Sequence, residues 1–213
     1  PERFVQFGIA EQNMMAAAGG MAAVGLVPVV TTFAVFCLRA IEQARLSLCY
    51  AGRNAKIVAS HPGLDVGPDG GSAQALEDLA AFRAIPGMTV ISPADPTEMA
   101  LATRAMLEFD GPVYMRTGRS PCQRLFGDDH RFEIGKGQIL RDGDDLTIIA
   151  TDPDELSAFG VPATRTLRAD EALPFAAMAT GADVVRADDG LSPQDGVAAL
   201  LRYAAVVPIR NGD

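Results

Sequence analysis

Two hydrophobic rhythms alternate along the first 120 residues. Short β-branched and aromatic runs, too brief for helices, are separated by longer stretches whose apolar residues recur at helical spacing. The pattern predicts strands over 4–7, 27–33, 55–60, 89–92 and 112–116. It predicts helices over 11–24, 36–50 and 75–85, and a last one running to about residue 107. Leu38, Ile41, Leu46 and Cys49 mark the second of these. The clearest helix start is Asp95-Pro96-Thr97-Glu98, with an acceptor at the cap, proline in the first turn and a carboxylate in the third position. Strands and helices in strict alternation imply an α/β fold, an open parallel sheet with helices on both faces. Such sheets bind ligands beyond the carboxyl ends of their strands. Glu11, Phe33, His61 and Arg116 all fall at or just after strand ends, so they can share one rim.

Beyond Ser120 the rhythm fades. Asp128, Asp129 and Asp142-Gly143-Asp144-Asp145 are turn formers, 137–150 reads as a hairpin, and 195–203 has a helical pattern inside an Ala- and Asp-rich tail. The reading is therefore one domain over 1–120, followed by a linker, a hairpin and a short diverged C-terminal segment over 121–213.

Composition narrows the function classes. Apolar residues are 48% and charged residues 21%, enough for a buried core. Lys and Arg number 18 against 27 Asp and Glu, a net charge of −9, which argues against a nucleic-acid partner. No apolar run reaches the ~18 residues of a membrane span. Cys37, Cys49 and Cys122 are odd in number and lack CxxC spacing, pointing to a reducing, cytoplasmic compartment. With only His61 and His130 and no Cys/His cluster, no metal site is expected on this chain. The sequence opens at Pro1 with no charged region ahead of an apolar one, and reads as a processed or incomplete start rather than a signal peptide.

Three segments carry candidate chemistry. Gly8-Ile9-Ala10-Glu11-Gln12-Asn13-Met14 places a carboxylate in a helix's first turn, where it also serves as an ordinary dipole partner. Phe33 and Phe36, three apart, are equally compatible with a core. The loop His61-Pro62-Gly63-Leu64-Asp65-Val66-Gly67-Pro68-Asp69-Gly70-Gly71-Ser72 is poor in core-forming side chains and follows a strand end, the usual setting of a site. Its glycines do not have P-loop spacing.

Together these segments resemble the pyrimidine-binding domain of transketolase-like thiamine diphosphate enzymes, in particular the second polypeptide of two-chain members. The resemblance covers about 1–150. It rests on Pro1-Glu2-Arg3-Phe4, Gly8-Ile9-Ala10-Glu11-Gln12, Val66-Gly67-Pro68-Asp69-Gly70, Ala75-Leu76-Glu77-Asp78-Leu79, Gly111-Pro112-Val113-Tyr114-Met115-Arg116 and Gly135-Lys136-Gly137.

The resemblance implies roles. Glu11 matches the glutamate that hydrogen-bonds N1′ of the aminopyrimidine and favours the tautomer that accepts the thiazolium C2 proton. A carboxyl group desolvated beside an aromatic ring suits such proton sharing. Phe33 and Phe36 match the aromatics lining the pyrimidine pocket, with Phe36 stacking on the ring. Arg39 stands where many relatives carry an aromatic residue, and is open to a cofactor contact or to a surface pairing with Glu42 or Gln43. His61 and Asp69 match positions that contact donor hydroxyls, although Asp69 also suits a plain turn. Arg116 matches an arginine that pairs with a sugar phosphate, with Glu108 or Asp110 as alternative partners.

Departures bear on the same expectations. Gly70-Gly71-Ser72-Ala73-Gln74 replaces the family's Gly-Pro-Thr-His-Gln or Gly-Ala-Thr-His-Gln, so Ala73 removes a histidine donor and implies an altered substrate. The strand, helix and strand that precede this point in the family are not in the sequence given. Neither Gly143-Asp144-Asp145 nor Asp189-Gly190 makes the GDG…N motif that holds the diphosphate. Thiamine diphosphate, with Mg2+ (or Ca2+), is therefore expected between this chain and a partner subunit carrying that motif, in an α2β2 assembly. The Ala- and Gly-rich face over 16–25 suits a close helix approach, to that partner or to the chain's own sheet. The expected reaction moves a two-carbon ketol or acyl unit from a keto donor to an aldehyde-type acceptor. The alternatives are the β subunit of a 2-oxo acid dehydrogenase or decarboxylase-type complex, and a non-catalytic scaffold subunit.

Overall fold

In a computed structural model, residues 3–64 and 66–140 are described. They belong to a compact unit that includes 1–137, apart from 138–140, which belong to a second unit. The helical pattern at 195–203 and most of the hairpin expected over 137–150 lie outside the described residues; 137–140 carry no strand.

Four parallel strands, β1 (Val29–Phe33), β2 (Lys56–Ser60), β3 (Thr89–Ile91) and β4 (Val113–Thr117), pair in the order β1-β2-β4-β3. The residues on the central strands alternate between two hydrophobic layers. Ile57, Ala59 and Tyr114 face a core with Met15, Ala18, Leu48 and Phe82, whereas Val58, Val113 and Met115 face Ala102 and Met106. Both faces of a parallel sheet are thereby covered, as the crossover helices require.

The first layer holds α1 (Glu11–Ala23), α4 (Asp78–Arg83) and a long helical stretch that begins directly after β1. That stretch starts two residues before the expected point and winds unevenly: α2 (Ala34–Cys37), a 3-10 turn (Leu38–Ala40), α3 (Ile41–Gln43) and a π-helical segment (Ala44–Tyr50). At Gly19 of α1 an added Cβ would stand 2.7 Å from the Ser47 carbonyl oxygen, so the two helices approach backbone to backbone. Gly19 of the small-residue face is thus used within this domain.

The second layer is α5 (Pro96–Glu108), capped as its sequence predicts. Asp95 Oδ1 accepts from the Glu98 backbone N–H at 2.7 Å. Its other oxygen accepts from the backbone N–H groups of Leu125 and Phe126 at 2.8 and 2.9 Å. One carboxylate therefore starts the helix and clips the chain beyond β4 to it, where Phe132 and Ile134 pack against the same layer. Burial pushes the Asp95 pKa up, but the hydrogen bonds from Glu98, Phe126, Leu125 and Thr97 outweigh it and the net shift is downward. A lowered folded-state pKa gives stability that is present above the unfolded value, near 4, and lost as pH falls through the folded one. Asp95→Ala is expected to cost about 2 kcal/mol or more at pH 7. The deficit in melting temperature should shrink when the melts are repeated below about pH 4.

One expected strand is absent. Residues 4–7 pair with nothing in the sheet, and Phe4 and Val5 are exposed. Gln6 Oε1 accepts from the backbone N–H groups of Phe7 and Gly8, and Gly8 takes φ +66°. A local side-chain turn competes there with the ladder and wins.

Candidate active site

The strand register creates the rim. Phe33 lies opposite Ser60, and Ser60 lies opposite Thr117, so β1, β2 and β4 end in one row. His61 follows Ser60 in a left-handed backbone conformation, φ +57°. For a residue with a Cβ this conformation is strained, and such strain concentrates at sites. It is accompanied by a flat stack of the imidazole on Phe33, with centroids 3.6 Å apart. Phe33 stacks in turn on Phe36 at 5.5 Å.

Glu11, the first residue of α1, closes the other side. It is 7% exposed and borders a cleft of about 440 Å³ lined by Gly8, Ile9, Thr32, Phe33, Phe36 and Arg39. Arg39 Nη1 donates to Glu11 Oε2 at 3.2 Å, with the guanidinium carbon 5.9 Å above the Phe36 ring. Arg39 thus pairs with Glu11 rather than with Glu42, whose carboxylate accepts from Gln43. Cys37 lies buried nearby; burial first, then the charges of Asp78 and Glu11, push its thiol up to about 12, so it is no nucleophile.

Asp69 sits on a 3-10 turn (Gly67–Asp69) of the loop after β2. Its Oδ2 is 3.7 Å from His61 Nε2 and 3.5 Å from Arg119 Nε, while His61 Nδ1 lies 2.9 Å from Ser60 Oγ. Ala73 ends the next turn (Gly71–Ala73) and is buried. Glu11, Phe33, Phe36, Arg39, His61 and Asp69 therefore gather on one rim.

Arg116 does not join them, which corrects the expectation that it faces a phosphate. It is 5% exposed, and its Nε and Nη2 donate to Asp78 Oδ2 and Oδ1 at 2.9 and 3.0 Å. Tyr114 Oη donates to Asp78 Oδ2 at 2.6 Å. The cause is strand periodicity: Arg116 shares the face of Tyr114, two residues earlier, and that face packs on α4. The arginine that reaches the rim is Arg119, 35% exposed, so close to Gly67 (φ +56°) that a Cβ there would lie 3.3 Å from its Nη1. The sequence reading missed both Asp78 and Arg119. The signal was a pair of arginines three apart, in Arg116-Thr117-Gly118-Arg119, only one of which can face inward from the strand.

Residues 1–123, more than half of the chain, match the family profile described as Transketolase, pyrimidine binding domain. The chain belongs to the transketolase family. It is 37% identical to the 6-deoxy-6-sulfo-D-fructose transketolase subunit SqwH of Clostridium sp. (strain MSTE9), over 99% of this chain and 63% of that protein. It is 46% identical to a putative transketolase C-terminal section of Methanocaldococcus jannaschii, over 71% of this chain and 49% of that one. Among solved structures, a split-gene transketolase described as an inactive β4 tetramer is 46% identical, with a TM-score of 0.61 over 68% of this chain and 47% of its own. The chain thus spans 47–63% of the length of these transketolase relatives. Membership of the family implies thiamine diphosphate as cofactor. The donor set fits one end of that molecule: a buried carboxylate and stacked aromatic rings suit an aminopyrimidine. Among the described residues no helix is long and apolar enough to cross a membrane, and no cluster of three or more His, Cys, Asp or Glu could hold a metal.

Proposed function

We propose that this chain is the pyrimidine-binding subunit of a two-chain transketolase, moving a two-carbon ketol unit from a keto donor to an aldehyde-type acceptor. The observation that carries the reading is Glu11, a buried carboxylate opening on a cleft walled by two stacked phenylalanines. Glu11, Phe33 and Phe36 would hold the aminopyrimidine, with Arg39 at the cleft mouth. Thiamine diphosphate, when bound, supplies a nucleophilic ring carbon able to carry the transferred unit. Glu11 holds a proton toward the pyrimidine N1′, in a place where few waters compete for it. Phe36 offers its face to the ring, and Phe33 supports both Phe36 and the His61 imidazole.

His61 and Asp69 face the donor's hydroxyl groups. The anionic end of the substrate goes to Arg119 in place of Arg116, since a partly exposed guanidinium keeps its fork within reach of an oxyanion. Such a role is consistent with the sulfonated sugar in the name of the clostridial relative. Ala73 leaves the donor without one hydrogen-bond partner at the loop's end, which favours a donor that differs from the ordinary sugar phosphates.

The diphosphate and its Mg2+ or Ca2+ belong, in this reading, to a partner subunit with a GDG…N motif, together forming an α2β2 assembly. The naming of the clostridial relative as a subunit, and of the solved split-gene protein as an inactive β4 tetramer, supports the need for that partner. The test is reconstitution with the partner chain and thiamine diphosphate, offering phosphorylated and sulfonated ketoses against 2-oxo acids. Ketol transfer is expected only with both chains present. Turnover of 2-oxo acids alone would transfer the chain to the dehydrogenase-type reading instead.

A further inference from the structure

The two groups assigned to the pyrimidine ring are both engaged by one cation. Arg39 donates to Glu11 Oε2 at 3.2 Å and holds its guanidinium 5.9 Å above the centre of the Phe36 ring. A planar ring that hydrogen-bonds Glu11 and stacks on Phe36 needs the same space. Glu11 is anchored, its side chain 9% exposed, whereas the Arg39 side chain is 57% exposed and reaches in from the turn Leu38–Ala40 at the cleft mouth. The mobile partner of the pair is therefore the arginine.

The geometry points to Arg39 as a displaceable placeholder, which neutralises Glu11 and covers Phe36 until the aminopyrimidine enters and then swings out of the cleft. This rests on the reading of the cleft given above. Displacement is cheap on the side of the arginine, which is 57% exposed and stays hydrated as it leaves, and a pair with one such partner shifts an equilibrium by about fivefold. A second position is at hand: the exposed carboxylate of Glu42 lies one turn further along the same helical stretch, at the i,i+3 spacing that allows side chains to pair. Arg39 so placed keeps a carboxylate partner in both states, and the buried Glu11 exchanges a charged partner for the ring nitrogen.

The experiment is a calorimetric titration of thiamine diphosphate, with Mg2+, into the reconstituted two-chain complex carrying wild-type, Arg39→Met or Arg39→Lys protein. Arg39→Met is expected to bind about two- to fivefold more tightly than wild type at low salt. The gap should narrow at high ionic strength, where the exposed pair is screened. Arg39→Lys, which retains a cation opposite Glu11, should stay close to wild type. Equal or weaker binding by Arg39→Met, in a protein whose melting curve is unchanged, overturns the placeholder and leaves the cleft reading intact. No binding of thiamine diphosphate by the wild-type complex overturns both.

Discussion

Replacing Glu11 by alanine is expected to lower turnover of the reconstituted enzyme by about 10²–10⁴, the range that a positioned proton-transfer group contributes. The fold should tolerate the change. Glu11 lies in the first turn of α1, and its side chain pairs with the exposed Arg39, so the loss to stability is a helix-dipole interaction of about 0.3–1 kcal/mol. Activity and stability therefore separate. A melting temperature near wild type with turnover reduced a hundredfold or more assigns the carboxylate to the chemistry. Glu11→Gln refines the result: the amide keeps the shape and one acceptor but cannot share a proton, so its turnover should fall with that of alanine. Undiminished turnover in both variants would leave the chain as a scaffold, since nothing else in the cleft of Gly8, Ile9, Thr32, Phe33, Phe36 and Arg39 is a carboxylate.

The parts of this arrangement that could be read from sequence are those dictated locally. The helix at Asp95-Pro96-Thr97-Glu98 carries its own cap, and Asp95 accepts from Glu98 where the pattern places it. The strands at 29–33, 56–60 and 113–117 follow from β-branched runs bounded by turn residues, and the parallel order places Phe33 and His61 side by side. What remained hidden depends on which way a side chain turns. Arg116 sits at a strand end, where ligands gather, but two residues after Tyr114 it shares the inward face, and Asp78 at the start of α4 meets it there. The local motif around Asp78 marked a helix start and gave no hint of a charge fully buried beneath it. Residues 4–7 misled for a similar reason: their apolar pattern suits a strand, but no neighbouring strand pairs with them and Gln6 turns the chain instead.

The buried triad of Asp78, Tyr114 and Arg116 carries the largest expected effect on stability. Asp78 is fully buried and accepts from Tyr114 and, through both oxygens, from Arg116, whose own exposure is 5%. Asp78→Ala removes the carboxylate that two guanidinium nitrogens of Arg116 and the Tyr114 phenol meet inside the protein, a loss of about 3–5 kcal/mol. For a chain of this size that lowers the melting temperature by roughly 10 °C or more. The double variant Asp78→Leu/Arg116→Met should recover the charge part of the loss, because an apolar pair of similar volume carries no desolvation penalty, while the Tyr114 hydroxyl still lacks its acceptor. Recovery would separate stability from the other consequence of the triad, which is geometric. Arg116 lies opposite Ala59 in the sheet, one residue before Ser60 and two before His61, while Asp78 begins the helix that ends the loop bearing Asp69. The pair thereby ties both ends of the site loop to one strand. In the double variant the fold should return while KM for the donor remains raised, since His61 and Asp69 no longer share that anchor. Recovery of stability and of donor KM together would confine the triad to a packing role.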